Sequence, residues 1–231
     1  MGVARYVNMA FIGTGLLAYV VLAELFAWTL MFFGSAANSQ VIGHNFRVAD
    51  LIGLLVAAGL VIWLKRDDCT GLASGGNKTR KLEYLMADVV AAGADCVVTH
   101  GAVQSNHARQ TAAACAKLGL PCHLLLSERV DWPYESYRRQ GNVLLDQLLG
   151  AQLHIHGLAD IGAARKTLLA ELANAGKRVY EIPAGGSSAI GALGYSRCLL
   201  ELLKQCAEQQ VQDAMIVHAS ASAGTQGGLV F

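Results

Sequence analysis

The chain has 231 residues and a formal net charge of +1, with 18 Lys and Arg against 17 Asp and Glu. That balance gives no electrostatic reason to expect a nucleic-acid partner, and none is expected. Hydrophobic residues make up 54% and charged residues 15%, which is apolar for a soluble domain, and the excess falls before Lys65.

Residues 9–33 carry one charge, Glu24, and at 1.5 Å per residue a helix of that length crosses a hydrocarbon core of about 30 Å. The competing reading is a signal peptide, for which Gly34-Ser35-Ala36-Ala37 is a weak cleavage site. A polar loop with Asn38, His44, Asn45 and Arg47 follows, and then a second uncharged run, Leu51 to Leu64, stops at Lys65-Arg66-Asp67-Asp68. This second run is short, and reads either as a span or as a buried core element. Residues 9–33 and 48–64 are expected as two membrane helices, a hairpin with Arg5, Lys65 and Arg66 on the cytoplasmic side. The segment resembles SecE, a small subunit of the protein-export translocase, in its hydropathy, its Arg5-Tyr6-Val7-Asn8 opening and its Gly/Ala-rich second run. That resemblance implies a membrane subunit with an incidental extension.

From residue 65 to 231 the texture changes to short apolar runs alternating with amphipathic ones. Strands are expected at 96–99, 122–126, 152–155, 179–182 and 215–218. Helices are expected at 81–92, 107–118, 137–149, 161–175 and 189–209. Gly93, Gly119, Gly150 and Gly176 follow four successive helices, where a left-handed terminal residue is wanted. Such alternation implies an α/β domain with a mainly parallel sheet covered on both faces. The six cysteines form no C-x-x-C pair, so inert thiols are expected and no metal or disulfide framework.

Several short motifs carry chemistry. Gly75-Gly76-Asn77-Lys78 places a lysine at the glycine-rich start of a helix; shielded from water beside cationic neighbours, Lys78 could lose its proton and form a Schiff base, or the segment is only a helix cap with solvated basic residues. A phosphate loop of the G-x-x-x-x-G-K-[ST] type fails because Asn77 separates glycine from lysine. Gln104-Ser105-Asn106-His107 opens a helix after a strand, where a hydroxyl, an amide and free backbone N–H groups suit a carboxylate; the bland alternative is an N-cap at Ser105 or Asn106. Ser222-Ala223-Gly224-Thr225 repeats the pattern of small residues before a helix and suits a phosphate. His154 and His156 share one strand face but have no third ligand at a suitable spacing, and are read as surface histidines. Gly185-Gly186-Ser187-Ser188 reads as a turn and helix cap.

Lys65 to Gly71, Gly75 to Leu85, Gln104 to Gln110, Pro183 to Ser187, Gly191 to Tyr195 and Ser222 to Gly228 together resemble, in order and spacing, the D-cysteine desulfhydrase and 1-aminocyclopropane-1-carboxylate (ACC) deaminase family. The resemblance implies a tryptophan-synthase-β-like fold, type II among pyridoxal-phosphate (PLP) enzymes. It is incomplete here, because the family continues past Phe231 with the pyridine-nitrogen partner and a substrate-pocket tyrosine. It implies Lys78 as the residue that holds pyridoxal 5'-phosphate and moves the substrate's α-proton. Asn106 would meet the ring hydroxyl, and Ala223, Gly224 and Thr225 the phosphate. Ser105, with Gln104, Asn106 and His107, would receive the carboxylate of a small amino acid. The implied reaction is lysis of D-cysteine to pyruvate, ammonia and hydrogen sulfide, with ACC deamination or L-cysteate sulfo-lysis as alternatives, and this truncated chain reads as an active or an inactive form. The family is consistent with a homodimer and a cytoplasmic enzyme domain, here anchored to a membrane through residues 9–64. Ala221 stands where the family has glycine.

Overall fold

The computed structural model describes residues 63–230 apart from 131 and 213. They fall in two units, of which Arg66–Val211 with His218–Phe231 holds every element named below. The expected membrane hairpin lies outside the described residues, save for Trp63 and Leu64, which are irregular and exposed. Among the described residues no helix is long and apolar enough to cross a membrane.

Four strands, β1 (Cys96–Ala102), β2 (Cys122–Glu128), β3 (Gln152–Gly157) and β4 (Val179–Ile182), form one parallel sheet in the order β3-β2-β1-β4. Strand residues alternate between two faces, and the core divides accordingly. Val97, Leu124 and Leu126 join the larger cluster with Leu82, Leu85 and Val89 of helix α1 (Lys78–Ala91), Ala108, Ala112 and Cys115 of α2 (Asn106–Leu118), and Val143 of α3 (Asn142–Leu148). Val98 and Leu125 point the other way, onto Leu168, Ala164 and Leu172 of α4 (Ile161–Asn174). Each fully buried leucine contributes about 1.5–3 kcal/mol. The sheet is thus covered on both faces, as its near-continuous apolar strands require.

The order of the strands locates a ligand crevice. The chain steps from β1 to β2 to β3 and then returns to place β4 on the far side of β1. In open sheets of this kind, ligands bind beyond the carboxyl ends of the strands where the order reverses. Here that crevice lies between the loops that leave β1 and β4.

Helix ends follow the glycines: Gly93, Gly119, Gly150 and Gly176 all have positive φ. Three expectations fail. The helix expected at 137–149 is broken into a 3-10 turn, Glu135–Arg138, and α3, because Gly141 sits at φ 62° and ψ −128°, outside any right-handed helix. Residues 215–218 form no strand; an apolar run becomes a strand only with a ladder partner, and none is present among the described residues. His154 and His156 are half-buried rather than on the surface, and His154 stacks on His123 with ring centroids 5.6 Å apart.

Helix α5 (Ala189–Glu208) lies across α1 at very close range. A Cβ added at Gly194 would lie 2.1 Å from the carbonyl oxygen of Arg80. The contact is clamped by Arg80, whose guanidinium pairs with Glu201 at 3.1 Å and with Asp67 at 2.9 Å, while the Tyr195 hydroxyl donates to Asp67 at 2.7 Å. Gly194→Ala is expected to lower the unfolding free energy by about 2–3 kcal/mol. Gly162→Ala, whose new methyl meets nothing within 4 Å, should raise it by about 0.5–1 kcal/mol. Urea denaturation of the two variants checks both signs.

Candidate functional site

Helix α1 begins at Lys78, and three residues later, on the same face, comes Lys81. Lys78 is half-buried, its ammonium donating to Oδ1 of Asn77 at 3.0 Å. Burial lowers its pKa, which favours the neutral amine needed of a nucleophile. Lys81 is 1% exposed and donates to the Gly185 carbonyl at 3.3 Å and the Ser187 hydroxyl at 3.4 Å. Burial, and after it the charge of Lys78, brings its pKa down to about 8. Lys81 has no carboxylate partner among the described residues. A buried cation that meets only neutral acceptors is a place for an anion.

The walls around Lys81 fit that role. Ser187 and Ser222 hydroxyls lie 2.6 Å apart. Gly224, the first residue of the short helix α6 (Gly224–Val230), comes so close that a Cβ there would meet Ser187 Oγ at 2.7 Å and Lys81 Nζ at 2.8 Å. Ala223 before it is held at φ 59°. The Asn77 amide donates to the Thr225 hydroxyl at 3.4 Å, and since Asn77 also accepts from Lys78, it ties the start of α1 to α6. Ala223, Gly224 and Thr225 thus sit beside both lysines. Ser222 opens the motif that the sequence offers for a phosphate; Lys81 and Ser187 were missed by sequence reasoning, although the three-residue spacing from Lys78 was a signal for Lys81.

The other wall is the start of α2. Ser105 caps this helix, its hydroxyl accepting from the Ala108 N–H at 3.2 Å, which leaves the hydroxyl proton to donate. Asn106 is exposed, and its Oδ1 accepts from Asn142 Nδ2 at 2.9 Å. The side-chain amide of Gln104 is committed elsewhere: it donates to the carbonyls of Tyr137 and Gln140 at 2.6 and 2.9 Å and accepts from the Asn142 N–H at 2.8 Å. Gln104 therefore pins the 137–142 loop.

His107 is 4% exposed, and its tautomer follows from its neighbours. The Thr99 hydroxyl gives its one proton to the Ile182 carbonyl at 2.8 Å, so it can only accept from His107 Nε2, also at 2.8 Å. Nδ1 is then a bare, buried acceptor without a partner among the described residues. Burial, and after it the charges of Lys78, His100 and Lys81, pushes the imidazole pKa down to about 3. A neutral ring with a lone pair at Nδ1 cannot bind a carboxylate through that atom; the backbone N–H groups at the start of α2 can.

No group of three metal-ligating side chains occurs among the described residues. A half-buried lysine, an uncompensated buried lysine with three hydroxyls and a close-packed glycine, and an amide beside them suit a phosphorylated aldehyde. Known proteins bear this out. The family model described as pyridoxal-phosphate dependent enzyme matches residues 48–231, and the chain belongs to that family. Within it, the chain is 49% identical over 172 residues to D-cysteine desulfhydrases of Salmonella typhi and Salmonella choleraesuis, covering 74% of this chain and 52% of each relative. It therefore spans about half the length of the curated relatives it matches. The crystal structure of an ACC deaminase homologue superposes with a TM-score of 0.64 at 37% identity, over 77% of this chain and 53% of that one. The fold is that of a type II PLP enzyme with a parallel sheet. The family match takes in the second apolar run and lends nothing to the SecE resemblance.

Because Lys81 carries its charge only below a pH of about 8, inorganic phosphate should bind more tightly at about pH 7 than at about pH 9.5, by on the order of tenfold. Thermal shifts in phosphate titrations of the full chain measure this, and Lys81→Met should abolish both the shift and its pH dependence.

Proposed function

We propose that the chain provides the cofactor-binding half of a PLP-dependent lyase acting on a small amino acid, with D-cysteine as substrate and pyruvate, ammonia and hydrogen sulfide as products. The observation that carries this reading is the pair of lysines on one face of α1, one half-buried with a lowered pKa and one buried without a counter-ion among the described residues, in a chain 49% identical to D-cysteine desulfhydrases.

Lys78 would hold pyridoxal phosphate through its Nζ atom, with the phosphate held by Lys81, Thr225, Ser187 and the backbone at Ala223 and Gly224. Asn106 would meet the ring hydroxyl. The cofactor, when bound, supplies an electron sink for the charge left when the substrate's α-proton departs. The rest falls to side chains of this chain. Lys78 Nζ, kept from full solvation, takes up the α-proton, the Cβ–S bond breaks, and the departing sulfur leaves protonated as hydrogen sulfide. Ser105 donates its hydroxyl proton to the substrate carboxylate, and the free N–H groups of the first turn of α2 complete that seat. His107, kept neutral by burial, presents a lone pair at Nδ1 and adds no charge to those of Lys78 and Lys81.

Purified full chain supplied with pyridoxal phosphate should show a visible absorbance band that Lys78→Ala abolishes. D-cysteine should then release sulfide and pyruvate. Equal absorbance in both proteins would overturn the assignment of Lys78. Sulfite from L-cysteate, or 2-oxobutanoate from ACC, without sulfide from D-cysteine, would move the substrate to another member of the family.

A further inference from the structure

Arg109 lies in the first turn of α2 and is 9% exposed. Its NH2 group donates to the Gly75 carbonyl at 2.9 Å, in the loop that delivers Lys78, and its NH1 group donates to Oδ1 of Asn142 at 3.0 Å. The Asn142 Nδ2 group donates to the Gln104 carbonyl at 2.9 Å and to Asn106 Oδ1 at 2.9 Å. A guanidinium only donates and a backbone carbonyl only accepts. Asn142 therefore has one admissible orientation, with its oxygen toward Arg109 and its nitrogen toward Gln104. Asn106 must in turn offer its oxygen to Asn142, which leaves its two Nδ2 protons without a partner among the described residues.

We infer that Arg109 and Asn142 are positioning residues that act as a polarity relay, fixing Asn106 as a hydrogen-bond donor toward an oxygen of the ligand while holding the Gly75 loop in register with it. This rests on the cofactor reading above, in which that oxygen belongs to the pyridine ring. A donor at this point favours the deprotonated ring oxygen; an acceptor would repel it. Neither relay residue touches the cofactor in that reading. Asp146 of α3 is the carboxyl that acts on Arg109 at longer range, and its own pKa is raised to about 7 by burial. A guanidinium remains protonated whatever the state of Asp146, so the direction of the relay does not depend on pH.

Asn142→Asp tests the relay with almost no change of shape. An aspartate pairs with Arg109 but has only acceptors for Asn106, which must turn its nitrogen inward and its oxygen outward. In the cofactor-free full chain, the Asn106 side-chain amide resonances, assigned by their loss in Asn106→Ala, should move downfield and exchange more slowly. In the loaded chain, the pH midpoint of the visible band should rise by about one unit. Asn106→Ala should raise it similarly, and the double variant should add nothing further. Asn142→Ala, which introduces no charge, should broaden the amide signals and raise the midpoint by less. Unmoved amide resonances in both Asn142 variants overturn the relay, as does a midpoint shift that adds to that of Asn106→Ala. If the unsubstituted chain gives no Lys78-dependent band, the cofactor reading fails, and the amide resonances alone decide whether Asn142 sets the orientation of Asn106.

Discussion

Taking an ammonium group out of water costs several kcal/mol unless something negative or strongly polar meets it. Lys81 bears that cost while donating to two neutral oxygens, a carbonyl and a hydroxyl. Much of the site is arranged around this uncompensated charge. After burial and the charges of Lys78 and His100, it adds to the lowering of the proton affinity of His107, and together with Lys78 it suits the crevice to an anion. The charge of Lys78 also helps to depress the pKa of Lys81. An anion beside Lys81 relieves that repulsion, so ligand binding and lysine protonation are linked.

The fold makes this arrangement stable by placing the charge at the edge of the core and not inside it. The apolar residues of α1, Leu82, Leu85 and Val89, pack toward the sheet, while the Arg80 side chain goes the other way, to Asp67 and Glu201. The helix is thus fixed on two sides by contacts that have nothing to do with the ligand. What remains is a narrow sector of the first turn, facing the reversal of strand order between β1 and β4. Loops from both strands and the start of α6 meet there, and backbone can approach backbone because the residues involved are small.

How legible this was in the sequence differs by element. The four paired strands and the glycines that end helices were readable, since apolar runs and left-handed positions are local properties. The break at Gly141 was not, because a glycine inside an amphipathic run reads equally well as a tolerated helix interior. Residues 215–218 looked like a strand for the same local reason, and pairing is not local. Lys78 and Ser105 stand out by position at helix starts, but beyond its spacing from Lys78 nothing local distinguishes Lys81 from the basic residues around it. Its burial is decided by Gly185, Ser187 and Gly224, more than a hundred residues away in sequence. The commitment of Gln104 to the loop at 137–142, and the roles of Asn142 and Arg109, depend on the same kind of distant contact.

The tautomer of His107 carries a consequence that reaches back into the sheet. Its ring proton sits on Nε2 because Thr99 spends its own proton on Ile182, a residue of the adjacent strand β4. Thr99 and Ile182 are also paired partners in the ladder between β1 and β4. The seam between two strands therefore sets which nitrogen of the His107 ring is basic. Slippage of β4 by a single residue would turn a different face toward Thr99, free its hydroxyl to donate, and let the imidazole exchange its two nitrogens' roles. In this molecule the register of a sheet and the chemical identity of a side chain are one and the same piece of information.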